Sequence, residues 1–197
     1  MDKRKIDVIL RITGAKRTEK PRAREDYYAT PAWAAEELLQ REKFNGRGWE
    51  CACGDGAISR VLERAGYQVR SSDIRTDDNI YGEKGVDFLK EWNKVDFIIT
   101  NPPFKLAEKF CIHGLECLNE NGKMAIFARL QFLEGQRRYK NLFSRFPPKK
   151  IYVFAERVNC LYEGKEIESG LMAFAWFIWE KGYMGKPTIE WIFRDEK

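Results

Sequence analysis

Short apolar runs alternate with helical segments along most of the chain, and that order limits the fold more than any single residue does. "WECAC" (49–53), "YQVRSS" (67–72), "VDFIIT" (95–100), "KMAIFA" (123–128), "IYVFAE" (151–156) and "LMAFAWFIWE" (171–180) read as strands, with "TIEWIF" (188–193) as a seventh. Helices fall between them. "ATPAWAAEELLQRE" offers Thr30 as N-cap and Pro31 at N1, and "AISRVLERAG" stops at Gly66. "KLAEKFCIHGLECLNE" is stopped by Asn121-Gly122, and a further helix is expected near 131–145. Such alternation predicts an α/β fold with a mostly parallel seven-stranded sheet covered by helices on both faces. Ligands of such sheets sit at the carboxyl ends of the strands, near the point where strand order reverses.

At 197 residues, 44% hydrophobic and 33% charged, the chain suits one globular domain. No run reaches the roughly 18 apolar residues of a membrane span. The apolar stretch near the N-terminus is broken by charge and makes a poor secretory signal, so a cytoplasmic protein is expected. Five cysteines, an odd number, argue for reduced thiols. Cys51-x-Cys53 lacks both the spacing and the second pair of a zinc site, so no metal is expected. His113, the single histidine, falls in the helix after residue 105 and disfavours Ser-His-Asp or Cys-His catalysis.

Charge is uneven. Residues 1–24 hold nine Lys/Arg against Asp2, Asp7 and Glu19, so this segment carries +6 and the remainder −1. The chain therefore divides into a basic arm, 1–24, and a domain, 25–197. A second basic group comprises Arg137, Arg138, Lys140, Arg145, Lys149 and Lys150. Basic runs are usually solvated surface, but an arm of this sign suits contact with a phosphate backbone.

Unusual residues gather at the expected strand ends. In "ECACGDGAI" a glycine turn joins strand to helix, where a ligand can approach the backbone and free N–H groups. Ser59 replaces the third glycine of the dinucleotide fingerprint, which disfavours a nicotinamide enzyme. Asp73, at the next strand end, is placed either to accept from a ribose diol or to serve as a turn residue. "GVDFL" supplies Asp87 and Phe88, an acid and an aromatic that either start a helix or suit an adenine edge and face. "DFIITNPPFK" (96–105) then breaks a buried strand with two prolines, which fix φ and donate no hydrogen bond.

Glycine turn, acid, Asp-Phe and Asn-Pro-Pro-Phe, in that order, resemble the class I S-adenosylmethionine-dependent methyltransferases, with a Rossmann-like fold. The likeness is to the amino-methyltransferases that modify adenine N6 in nucleic acid. It spans roughly residues 27 to 180, and the compact size is most similar to phage or prophage DNA enzymes. Asn101-Pro102-Pro103-Phe104 is its most specific element and implies the catalytic loop. The resemblance implies S-adenosylmethionine as cofactor, contacted from "DYYATP" by Tyr28, Thr30 and Pro31. From "ECACGDG" it implies Glu50, Cys51, Ala52, Cys53, Gly54 and Gly56, and beyond them Asp73, Ile74, Asp87, Phe88 and Asn101. Arg157, Asn159 and Tyr162 fall on the loop that faces the target base in that family.

The loop's composition suits the chemistry. An aromatic amine is a poor nucleophile because its lone pair is delocalised. Acceptors held rigidly by the prolines, the Asn101 side-chain oxygen and the Pro102 carbonyl, would favour a localised lone pair with little reorganisation. Phe104 would offer a stacking face to the flipped base. DNA is the favoured partner. RNA adenine methylation, glutamine methylation in protein and a non-catalytic nucleic-acid-binding subunit are the alternatives. Neither oligomeric state nor target sequence follows from the sequence.

Overall fold

The computed structural model describes residues 29–162, 165–166 and 172–194. Eight strands form one sheet: β1 (Arg47–Glu50), β2 (Gln68–Asp73), β3 (Glu83–Lys84), β4 (Val95–Thr100), β5 (Leu118–Arg129), β6 (Lys150–Phe154), β9 (Phe174–Glu180) and β10 (Thr188–Ile192). A separate two-stranded hairpin pairs β7 (Leu161–Tyr162) with β8 (Lys165–Glu166). The sheet order is β10-β6-β9-β5-β4-β1-β2-β3. Among the described residues of this sheet, β9 alone runs antiparallel to its neighbours, β5 and β6. The expected mostly parallel α/β sheet is therefore present, with the two-residue β3 as an additional edge.

Chain order explains where a ligand can enter. From β1 the chain builds outward through β2 and β3, then returns to add β4 on the other side of β1. The order reverses between β1 and β4, and a crevice opens beyond their carboxyl ends.

Helices α1 (Ala32–Arg41), α2 (Ala57–Arg64) and α3 (Ala107–Cys117) cover the sheet. The strands are apolar throughout because both faces are buried. Trp49, Phe97, Ile98, Ile99, Met124, Ala125, Ile126, Phe127 and residues 174–179 are all nearly inaccessible. Residues alternating along β4 and β5 feed two core clusters, one per face: Ile98, Met124 and Ile126 in one, Phe97, Ile99, Ala125 and Phe127 in the other.

Several local expectations change. Thr30 does not cap α1; Pro31 takes the cap position at φ −61°, ψ 141°, and no side chain caps the helix. The Thr30 hydroxyl is engaged elsewhere, as described below. Strand β1 ends at Glu50, because Cys51 and Ala52 already turn into the glycine loop. Helix α3 stops at Cys117: Leu118 pairs with Val95, so the sheet takes over four residues before Gly122. The helix expected near 131–145 is broken into a 3-10 turn (Leu130–Leu133), one α turn (Gln136–Arg138) and a π turn (Tyr139–Phe143). Gly135, at φ 130°, separates the first two in a conformation no helix can hold.

Candidate functional site

The glycine loop after β1 is locked by its surroundings. Gly54 and Gly56 adopt φ 54° and 85°, the left-handed region that a side chain disfavours. A Cβ on Gly56 would strike the Tyr81 ring. Tyr81 N–H donates to the Gly54 carbonyl at 2.9 Å, and its hydroxyl is bonded to Glu63 on α2. Asp73, 6% exposed, closes the loop from the next strand. Its Oδ2 accepts from Gly54 N–H and its Oδ1 from Arg75 N–H, both at 2.9 Å. Asp73 is thus a turn residue, yet a carboxylate has further lone pairs, and the residue also lines the cavity beside it.

That cavity, about 840 Å³, opens at the carboxyl ends of β1, β2 and β4. Its walls include Thr30, Glu50, Cys51, Ala52, Cys53, Asp73, Ile74, Asp87, Phe88, Asn101 and Pro103. Gly54, Gly56, Pro31, Pro102 and Phe104 are not in its wall; the glycines shape the turn, and Pro31 and Pro102 are buried. Tyr28 lies outside the described residues. Asp55, Arg75, Thr76, Asp77, Lys105, Leu106 and Phe110 also line the space. Sequence reading passed over them, although Asp55 stands inside the glycine turn and Lys105 directly follows Phe104.

Glu50 is the most unusual group in the wall. Only 1% exposed, it leaves Oε2 without a hydrogen-bond partner, while Oε1 accepts from Ala52 N–H at 3.3 Å. Burial pushes its carboxyl up to about 8, against the opposing pull of the Thr100 hydroxyl and Ala52 N–H. An uncompensated carboxylate at this depth is costly unless a cation arrives to pair with it.

Asp87 caps a 3-10 turn (Phe88–Lys90) by accepting from Leu89 N–H at 3.2 Å, and its other oxygen meets Lys90 Nζ at 3.0 Å. Phe88 belongs to the core: its ring packs on Trp49, Phe110 and His113. The apolar residue most open to a ligand ring is instead Ile74, 58% exposed on the cavity wall.

Asn101 begins the loop at the end of β4. Its Nδ2 donates to Thr30 Oγ1 at 3.0 Å, so the amide is oriented from the segment ahead of α1. Pro103 accepts from Leu106 N–H at 2.8 Å and starts the chain toward α3. Phe104 is half-buried; the Arg129 guanidinium carbon lies 3.9 Å from its ring centroid, and Phe174 stands 6.3 Å away. One face of the Phe104 ring is therefore covered by Arg129. Arg157 is exposed and Asn159 half-buried beyond the end of β6, outside the cavity wall. The side chain of Tyr162 is outside the described residues.

Much of the second basic group serves the fold. Arg137 pairs with Glu108, Arg138 donates to the carbonyls of Phe132 and Glu134, Lys149 pairs with Glu180 and Lys150 with Glu42. The arm 1–24 lies outside the described residues. His113 bonds the Glu91 carbonyl from within α3, and all five cysteines are buried and free. Burial pushes Cys53 and Cys160 up to about 12, so neither is a ready nucleophile. Among the described residues no group of three or more His, Cys, Asp and Glu could hold a metal, and no helix is long and apolar enough to cross a membrane.

Solved structures with the same arrangement decide the fold. A class I S-adenosylmethionine-dependent methyltransferase of Listeria monocytogenes, assigned as such without proof of activity, matches at TM-score 0.60 and 14% identity, over 94% of this chain and 72% of that one. A proposed RNA methyltransferase of Pyrococcus horikoshii matches at TM-score 0.60 and 18% identity, over 92% of this chain and 99% of that one. The chain has the class I methyltransferase fold. A modification subunit of a proposed type I restriction enzyme from Vibrio vulnificus matches at TM-score 0.58 and 15% identity, over 98% of this chain. The present chain spans about half of that subunit, 51%. No family model matches the sequence, and no curated protein matches it either.

S-adenosylmethionine is the cofactor this fold implies, and the cavity suits it. The orphaned Glu50 oxygen answers an ammonium, Asp73 and Asp87 answer hydroxyl and amine donors, and Ile74 offers an apolar surface to a ring.

Proposed function

We propose that this protein transfers a methyl group from S-adenosylmethionine to the exocyclic N6 of adenine in nucleic acid, with DNA as the favoured substrate. The observation that carries the reading is the position of Asn101. It stands on the cavity wall at the end of β4, next to the Glu50 strand end across the reversal of strand order, with its amide nitrogen tied to Thr30.

When bound, S-adenosylmethionine supplies an electrophilic methyl on its sulfonium. The chain's own residues supply the rest. Glu50 pairs with the ammonium, and Asp73 and Asp87 accept from the ribose and the adenine amine. Asn101 Nδ2 donates to Thr30, and its Oδ1 is the acceptor that this reading assigns to the target amine. Together with the Pro102 carbonyl it draws both amine hydrogens to one side and localises the nitrogen lone pair. Prolines on either side of that carbonyl limit its motion, so the acceptors are in place before reaction. No general base is demanded while the product carries its extra proton, which leaves afterwards to solvent.

RNA is the second substrate to test, since the Pyrococcus protein of similar length is a proposed RNA methyltransferase. The experiment incubates the protein with labelled S-adenosylmethionine and DNA, RNA or glutamine-peptide pools, followed by nucleoside mass spectrometry. The reading expects N6-methyladenine in the nucleic acid. Asn101→Ala should bind the cofactor normally and transfer at least ~100-fold more slowly, the scale of losing an oriented acceptor of developing charge. Label confined to peptide, or normal turnover by the variant, contradicts it.

A further inference from the structure

One face of the Phe104 ring is already occupied. Arg129 places its guanidinium carbon 3.9 Å from the Phe104 centroid, a spacing that leaves no gap for another planar group. A base inserted between them would need two stacking gaps of about 3.4 Å, so the guanidinium must leave before a base can occupy that face. Phe174, 6.3 Å from the same ring and tilted by 40°, is itself stacked on Phe127 at 5.0 Å, which fixes the ring's surroundings on the β9 side.

Register puts Arg129 there. It is the last residue of β5, opposite Phe174 of β9, and β5 is the neighbour of β4, pairing Ile126 with Thr100. Arg129 therefore projects beyond the same sheet edge from which the Asn101–Phe104 loop departs. A guanidinium is flat, cationic and bidentate toward phosphate. Those properties match the two parts of a nucleotide in turn: its plane can substitute for the base, and its charge suits the phosphate beside the base. A glutamine side chain has neither a ring to take the stack nor an anion to receive the displaced cation.

We propose that Arg129 is a specificity-determining residue for a nucleotide substrate, occupying the Phe104 face in the free protein and passing to a phosphate of the bound strand when the target base takes that face. The inference rests on the reading of Asn101–Phe104 as the loop that receives the substrate.

The test compares wild type, Arg129→Ala and Arg129→Lys on adenine-containing oligonucleotides, on free adenine nucleosides and on a glutamine peptide, each across a salt series. For Arg129→Ala, the oligonucleotide KM should rise about tenfold and the salt slope should fall by about one. Turnover of the free nucleoside, which has no phosphate, should hold or improve. Arg129→Lys should restore the salt slope. Titration with S-adenosylhomocysteine verifies that each variant is folded, and Arg129→Gln replaces the alanine variant should that one unfold. An Arg129→Ala protein with unchanged KM and salt slope, or with nucleoside and oligonucleotide turnover reduced alike, overturns the inference while leaving the methyl transfer itself standing. A wild type that methylates only the peptide, or nothing, overturns the proposed function as well.

Discussion

Thr30 accepts a 3.0 Å hydrogen bond from the side-chain nitrogen of Asn101, joining the segment before α1 to the loop after β4 across 71 residues of sequence. Thr30 is 2% exposed, so water cannot replace the contact readily. In the proposed mechanism this bond holds the amide so that its oxygen serves the target amine. Without it the amide should be free to turn over and present N–H where the proposed mechanism calls for an acceptor.

Replacing Thr30 by Val, which keeps the shape and removes the acceptor, should therefore lower kcat about tenfold, the kinetic equivalent of one net hydrogen bond. Thr30→Ser should recover most of it. Steady-state kinetics beside a cofactor titration separate this from a packing defect, since the affinity for cofactor should change little.

In the proposed site, Glu50 should make cofactor binding depend on pH. With its carboxyl pushed up to about 8 by burial, it is largely protonated at pH 7 in the free protein. A cationic ammonium beside it favours the ionised form, so binding at pH 7 should release about one proton. Calorimetry in buffers of different ionisation enthalpy measures that proton, and Glu50→Gln should abolish it while weakening binding.

The same group sets the sign of a stability effect. A pKa raised above its unfolded value means the folded state binds the extra proton. The favourable contribution is full below pH 4.5, declines as pH rises toward 8 and is gone above it. Cofactor-free Glu50→Gln should accordingly gain stability over wild type at pH 9 and match it near pH 4, as read by denaturant unfolding.

At the opposite end of the sheet, Glu42 gathers Lys123 at 2.7 Å, Tyr152 Oη at 2.8 Å and Lys150 at 3.2 Å. Burial works to raise its carboxyl, but these hydrogen bonds outweigh burial and hold it below the ordinary glutamate value. Glu42→Ala leaves two lysines and a buried hydroxyl without their shared acceptor and should cost about 2–3 kcal/mol. Chemical denaturation measures this cost. Because the carboxyl is depressed, the stabilisation is present above pH 4.5 and disappears as acid carries the pH through the folded value.

Gly56→Ala tests the turn. It adds a Cβ at φ 85° and against Tyr81, so a loss of about 1–2 kcal/mol is expected from backbone strain alone. Cofactor affinity should fall further than stability, because the ring and the turn cannot both keep their places.

What could be read in the sequence follows what is local. Gly66 at φ 85° ends α2 where expected, and Val95–Thr100 is a strand bounded as its apolar run suggests. The cluster of odd residues at strand ends was legible because parallel sheets put those ends together. Thr30 was misread because an N-cap and an amide's partner have the same local sequence, and only the path of a strand 71 residues away distinguishes them. Arg129 gave no signal: its place over Phe104 depends on the register of β4, β5 and β9. Residues 131–145 have a helix-compatible composition, but Gly135 and the ties of Arg137 to Glu108 and Arg138 to Phe132 outweigh it.

The cavity beside Glu50 and Asn101 carries the whole account, and its most direct measurement is titration calorimetry of the purified protein with S-adenosylmethionine and with S-adenosylhomocysteine. One saturable site for each, weakened by Glu50→Gln and preserved in Asn101→Ala, is the predicted result. Absence of binding to either compound at millimolar concentration would contradict it.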